Sequence, residues 1–357
     1  MLKSALSLVT RRRVSPARHE DAAFHRTLTD SLINDLSRRL ETTCELIDYR
    51  ATRTGSLTVR VRADRSYVAK LPLQASTGPR LRLNAQALTL LGRLGWMTPF
   101  LADRCPVLVL ISTASGYFYS VETALPGQDG ASVLRTRANV DKLILSAERF
   151  ILQLQKASLV DSEPTSALWE APFQSAVERV ARLAAYAGEA EGYQQMVSYV
   201  RTRLAAQPIP SVYSHGNFWL GNALFDAEDN LTGAIDWDCA AEYALPAIDL
   251  IYFLVRTHSL TRRVGFGEAL ADWIDAEALP FLDDCLTRHC RELSIPTTII
   301  APLSYCSWIQ HLDAHCRFGT SASTNARWLS HNVRRVIHCW RRRARAGRVE
   351  TGRWDSL

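Results

Sequence analysis

The sequence predicts an α+β chain, in which a small antiparallel five-stranded sheet with one helix precedes a larger, mainly helical part. Two observations carry this. The hydrophobic period changes from about 3.6 to 2 near Cys44 and back again past Leu125-Pro126-Gly127. The chain has 357 residues, 47% apolar and 22% charged, a globular composition long enough for two domains of ordinary size.

The elements follow in order. An Arg-rich leader gives way near Thr27 to a helix through Leu40, striped by Leu28, Leu32, Ile33, Leu36 and Leu40. Strands are expected over Glu45 to Ala51, across Leu57, Val59 and Val61, and over Tyr67 to Leu73, with turns at Arg53-Thr54-Gly55-Ser56 and Asp64-Arg65-Ser66. Leu83, Ala87, Leu90, Leu91 and Leu94 mark a helix ending near Gly95, and Val107 to Ile111 and Tyr117 to Thr123 complete the sheet. Beyond it the pattern is helical at 138–158, 172–205 and 246–346, with a short extended stretch between Val212 and Ile235. The expected divisions are a basic leader and helix (1–44), the sheet lobe (45–123), the helical lobe (124–346) and a tail (347–357).

Charge and cysteine content narrow the function classes. The net charge of +6 is mild, so nucleic-acid binding does not follow from it. The one basic cluster, residues 334–345, reads as a last helix with Val333, Val336, Ile337 and Trp340 turned inward and its arginines on the solvated side. Eight scattered cysteines and no convincing secretory signal point to a cytoplasmic protein with reduced thiols. The basic, acid-free first 18 residues are faintly like a transit peptide. No apolar run approaches the ~20 residues that cross a bilayer. Cys285 and His289 share helical spacing, as do His311 and His315 beside Cys316, which is thin support for zinc; packing roles are the expectation.

The densest chemistry lies in Ser214-His215-Gly216-Asn217-Phe218-Trp219-Leu220-Gly221-Asn222, followed by Ile235-Asp236-Trp237-Asp238. A hairpin between these segments brings Asn222 and Asp236 toward each other, and an amide oxygen beside a carboxylate suits Mg²⁺. This pair of motifs resembles the catalytic loop and metal segment of the aminoglycoside phosphotransferase and choline kinase-like family, distant relatives of the protein kinases. The family's His-x-Asp, Asn and Ile-Asp-Trp stand here as His215-x-Asn217, Asn222 and Ile235-Asp236-Trp237.

The resemblance implies a protein-kinase-like two-lobed fold binding ATP and Mg²⁺, with a small-molecule hydroxyl compound as acceptor. It implies Asn217, His215 and Asp236 as the catalytic set, Asn222 and Asp236 as metal ligands, and Asp249 as the brace beneath the loop. It also asks for a lysine on the third strand to meet the phosphates, and Lys70 stands in Val68-Ala69-Lys70-Leu71, one of only four lysines beside 38 arginines. Gly55 and Ser56 would lie over the phosphates, and Glu122 to Ala124 would be the hinge whose backbone receives adenine.

Two departures temper the functional expectation. Asn217 replaces the family's aspartate and cannot accept a proton, although its amide oxygen can orient a hydroxyl. Between Asp64 and Asp103 there is no acidic residue to hold Lys70; Asn84 or Gln86 stands where the family's glutamate would be. Asp238, two residues past Asp236, is either a substitute base or a loop-capping carboxylate. The readings therefore stay open between a phosphotransferase acting on a sugar, amino alcohol or antibiotic-like hydroxyl, a silent pseudokinase that binds nucleotide as regulator or scaffold, and an interaction protein sharing only the architecture. From Arg256 onward 15 basic residues face 10 acidic ones, which suits a polycationic acceptor poorly unless Asp272, Asp275, Glu277, Asp283 and Asp284 gather.

Overall fold

The computed structural model describes residues 16–52, 54–94, 98–136, 139–160, 172–205, 207–275, 280–317 and 325–346. Residues 1–15 of the leader, Arg53, Gly95, Glu277 and the tail 347–357 lie outside them, and the helix expected from near Thr27 begins at Pro16. The chain divides into two compact units, Met1–Leu81 with Val109–Ala124, and Arg82–Leu108 with Leu125–Leu357.

In the first unit, β1 (Glu45–Ala51), β2 (Ser56–Arg62), β3 (Ser66–Pro72), β4 (Leu108–Ala114) and β5 (Tyr117–Thr123) form one sheet in the order β1-β2-β3-β5-β4. The strands alternate as expected. Leu57, Val59 and Val61 of β2 and Tyr67, Ala69 and Leu71 of β3 are buried in one cluster, because side chains two apart share a face. Leu28, Leu32 and Leu36 of the helix Pro16–Arg39 belong to that cluster, while Ile33 and Leu40 lie at its edge.

One polar knot ties helix to sheet. The Asp35 carboxylate accepts from the Tyr119 hydroxyl at 2.5 Å, from Arg38 at 2.7 Å and from Arg39 at 2.9 Å. Burial works to raise the Asp35 pKa, but these donors together hold it below the usual carboxylate range. The Tyr119 phenol is pushed up to about 12 by burial and by the carboxylate it faces.

The second unit holds the helices Val140–Ala157, Pro172–Tyr186, Ala190–Ala205, Ile248–Arg262, Phe266–Asp275, Pro280–Glu292 and Ile300–Arg317 around a continuous core that includes Phe150, Phe218, Trp237, Phe253, Trp273 and Trp308. Between the third and fourth of these run β7 (Val212–Ser214), β8 (Ala223–Phe225), β9 (Leu231–Ala234) and β10 (Ala241–Ala244). β8 and β9 form a hairpin extended by β6 (Gln128–Asp129), and β7 pairs with β10. No described helix is long and apolar enough to cross a membrane.

The last helix, Arg335–Arg345, buries Val336, Ile337 and Trp340 as its stripe requires. Its arginines are less idle than a solvated face would leave them. Arg335 binds Asp272 at 3.0 Å, Arg341 binds Glu189 at 2.8 Å, Arg342 pairs with Asp275, and Arg343 donates to the Ile274 carbonyl. The basic cluster is thus largely spent within the fold.

The histidines and cysteines at helical spacing also have interior roles. Cys285 is buried, and burial pushes its thiol up to about 12. His289 Nε2 donates to Gln155 Oε1 at 3.0 Å, and the same oxygen accepts the Ala247 N–H at 3.1 Å. His311 stacks on Phe266 with centroids 4.1 Å apart.

Removing one donor from Asp35 leaves a buried carboxylate short of a partner. Tyr119→Phe is expected to lower stability by about 1–2 kcal/mol in urea unfolding.

His289 carries a pH dependence. Burial lowers its pKa from 6.5 to about 3, so the unfolded chain takes up a proton that the folded chain refuses. Stability contributed by neutral His289 is present above pH 6.5 and is lost, at up to about 1.4 kcal/mol per pH unit, as pH falls from 6.5 to 3. Unfolding midpoints of His289→Gln measured across that window should fall less steeply with acid than those of the natural chain.

Candidate active site

The loop 215–222 is held by one carboxylate. Asp249, in the first turn of helix Ile248–Arg262 and 1% exposed, accepts from the Ser214 hydroxyl at 2.9 Å and the His215 N–H at 2.7 Å through Oδ2. Its Oδ1 accepts the Gly216 N–H at 2.9 Å. Burial pushes the carboxyl's pKa up, and these donors oppose that push. Gly216 turns the chain at φ +75°, where an added Cβ would lie 2.0 Å from the Cys239 carbonyl oxygen. Both the left-handed backbone and the close approach require glycine.

His215 is buried, and both ring nitrogens are engaged. Nε2 lies 3.0 Å from the Ile235 carbonyl oxygen, and Nδ1 accepts the Asn217 N–H at 3.4 Å. This pattern calls for the neutral tautomer protonated at Nε2, and burial lowers the pKa in the same sense. The ring also lies 4.3 Å from that of Trp237. His215 thus ties the loop to the segment that carries Asp236.

Asn222 is oriented by its neighbours. Its Nδ2 donates to the Asn217 carbonyl at 2.9 Å, which turns Oδ1 the other way, and its own carbonyl accepts the Ile235 N–H at 2.9 Å. That last bond extends the β8–β9 pairing, in which Ala223 faces Ala234, by one residue to the foot of Asp236. Asp236 takes φ +63°, a left-handed conformation that aspartate tolerates better than most residues. Trp237 anchors the far side, donating its backbone N–H to Asn84 Oδ1 at 2.8 Å and its indole N–H to the Ala234 carbonyl at 2.9 Å. The Asn222 amide and the Asp236 carboxylate, carried by segments that the Ile235–Asn222 hydrogen bond joins, are the oxygen-donor types that a hard cation such as Mg²⁺ takes.

In the other unit, Lys70 stands opposite Ser120 across β3–β5, and Glu122 stands opposite Val68. Lys70 and Glu122 are thus diagonal neighbours on one face, turned away from Ala69 and Leu71. Nζ and Oε1 meet at 2.7 Å with the side chains 9% and 4% exposed. A lysine buried to this degree needs a carboxylate to offset its lost hydration. Gly55 has φ +80° at the β1–β2 turn, and its neighbour Ser56 joins its hydroxyl to that of Thr52 at 2.7 Å. The Ala124 N–H donates to the Ser66 carbonyl at 3.0 Å.

A family model described as the phosphotransferase enzyme family matches residues 52–283. The chain belongs to that family. No curated protein matches it. Among solved structures, a fructosamine-3-kinase candidate from Thermobifida fusca is similar at 14% identity and TM-score 0.54, over 87% of this chain and 99% of that one. A GDP complex of a mutant aminoglycoside 2'-phosphotransferase IIIa is similar at 15% identity and TM-score 0.50, over 91% and 99%. At these identities the likeness establishes the protein-kinase-like fold.

Against the family pattern, two expectations change. Lys70 does have an acidic partner. It is Glu122, supplied from β5 by sheet register rather than by the helix after β3, while Asn84 accepts the Trp237 N–H and Gln86 is exposed. The same-face argument for Asp238 also lapses, because β9 stops at Ala234 and Asp236 turns left-handed, so strand alternation does not carry across the pair. Beside Asn217 lies a small recess between the loop and helices Ile248–Arg262 and Ile300–Arg317, lined by Tyr252, Ser307, Gln310 and His311. Sequence reading missed this recess and missed the bond between Asn84 and the Trp237 N–H. Only the helical stripe of Tyr252 and Arg256, one turn apart on the helix that carries Asp249, hints at the recess.

Gly216→Ala is expected to lower the unfolding midpoint, by strain of about 3 kcal/mol. It should also speed amide exchange at His215 and Gly216, whose N–H groups would leave Asp249.

Proposed function

We propose that this member of the phosphotransferase family moves the γ-phosphoryl group of ATP to a hydroxyl of a small molecule. The observation that carries the reading is the Asp249-braced loop, which holds Asn217 and Asn222 in fixed relation to the Asp236 turn. The relative whose structure holds GDP supports nucleotide binding, and Lys70 with Glu122 supplies a buried, oriented cation for nucleotide phosphates.

Mg²⁺, when bound, would neutralise charge on the phosphate oxygens, and Asn222 Oδ1 with the Asp236 carboxylate are the residues to hold it. The chain's own groups do the rest. Lys70 binds phosphate oxygens, and Asn217 Oδ1 accepts a hydrogen bond from the acceptor hydroxyl and aims its oxygen. The new bond joins that oxygen to the γ-phosphorus, the bond to the β-γ bridging oxygen breaks, and ADP leaves. The hydroxyl proton passes to water, because an amide cannot keep it. Loose phosphoryl transfer depends mostly on position and charge, so this arrangement suits a slow kinase.

Asn217 favours a second reading, in which the chain binds nucleotide without turnover. ATP consumption over a panel of hydroxylated acceptors separates the two. The natural chain is expected to show slow acceptor-dependent turnover, and Asn217→Asp to raise it by about 10²–10⁴-fold. Binding of Mg·ATP with no turnover, restored by Asn217→Asp, would establish the silent reading. If neither chain binds ATP and Lys70→Ala changes nothing, the site assignment fails.

A further inference from the structure

We infer that the acceptor is an anionic hydroxyl compound, bearing a carboxylate or phosphate group that Arg256 holds beside the loop. This rests on the phosphotransfer reading and adds the class of acceptor to it.

Arg256 lies one turn beyond Tyr252, which lines the recess at Asn217. Its guanidinium stands 5.3 Å from the centre of the Trp219 ring, two residues past Asn217. The side chain is half-buried, and among the described residues it makes no ion pair. Other partly buried arginines of this unit have oxygen acceptors: Arg179 pairs with Asp313 and Arg341 with Glu189, while Arg104 and Arg334 donate to the backbone carbonyls of Leu231 and Ala187. A guanidinium set over an aromatic ring and lacking a carboxylate keeps its N–H donors for an anion.

The walls of the recess point the same way. Helix Ile248–Arg262 carries one acid, Asp249, and both of its oxygens are taken by the loop. Helix Ile300–Arg317 also carries one, Asp313, which is held by Arg179 at 2.5 Å and Arg317 at 2.9 Å. The remaining polar lining, Ser307, Gln310 and His311, is uncharged, since burial keeps the His311 imidazole neutral. A polycation entering the recess would find no unengaged carboxylate on either helix wall, and the Arg256 guanidinium lies one turn away. An anion reaching Arg256 would find a bidentate partner beside Trp219, one helical turn from Tyr252 and the recess that holds Asn217.

Calorimetric titration of the full chain tests this without requiring turnover. The probes are gluconate and glucose 6-phosphate as anions, glucose as the neutral control and kanamycin as the polycation, with Mg·ATP titrated in parallel. Both anions, or one of them, should bind at least about 10-fold more tightly than glucose, and kanamycin least; which anion wins identifies a carboxylate or a phosphate ester. Arg256→Gln should reduce the ratio of anion to glucose affinity by about 10 to 100-fold, and Arg256→Lys should retain part of it as a control for folding. Equal binding of anions and glucose, preference for kanamycin, binding of none of them, or an unchanged ratio in Arg256→Gln overturns the inference. Loss of Mg·ATP binding with the anion preference intact would instead sink the phosphotransfer reading alone, and Mg·ATP binding without the preference would sink this one alone.

Discussion

The Asp249 carboxylate is the constraint on which the site depends. Three donors from consecutive residues, Ser214, His215 and Gly216, converge on its two oxygens. A loop of this kind has no ladder to hold its backbone, so its polar groups must find partners elsewhere or stay hydrated. One buried acid at the start of a rigid helix satisfies several at once and fixes the loop to the core. From that point the geometry propagates. His215 reaches across to the Ile235 carbonyl, Asn222 fastens to Asn217, and Ile235 fastens to Asn222, so the two segments that carry the chemistry are joined by hydrogen bonds rather than by proximity alone.

The sheet solves a different problem with the same economy. A cation is held in a buried position by a carboxylate from the adjacent strand, where strand register alone sets the pairing. Such a pair does little for stability, since the desolvation of both charges consumes most of the Coulomb gain. Its value is orientation. The Lys70 ammonium is fixed against Glu122 on one face of the sheet, with its charge balanced.

Much of this was legible in the sequence, and the parts that were not share a cause. The period change near Cys44, the turn residues and the stripe of Leu28, Leu32 and Leu36 located the sheet and its helix because they are local signals. The motif of His215, Asn217, Asn222 and Asp236 was readable because its spacing is fixed by one hairpin. Glu122 suggests only a backbone role in the sequence, since its meeting with Lys70 depends on β3 lying beside β5 rather than beside β4, a topological fact no local pattern encodes. The bond of Asn84 to the Trp237 N–H escaped for the same reason, its partners lying 153 residues apart. The same-face argument for Asp238 failed through a single left-handed residue, and Asp236 carries no glycine to announce it.

Lys70 has a carboxylate, although from β5 rather than from the helix after β3, so Asn217 is the departure that bears most directly on transfer. An amide accepts the hydroxyl's hydrogen bond but not its proton. Loose phosphoryl transfer draws mostly on position and charge, and a proton acceptor is worth about 10²–10⁴-fold, so the exchange slows the proposed reaction rather than abolishing it. The loop keeps its frame whichever side chain stands at 217, because the donors to Asp249 come from Ser214, His215 and Gly216, and Asn222 is held by the backbone carbonyl of residue 217. An aspartate there adds a proton acceptor to a frame that is already built.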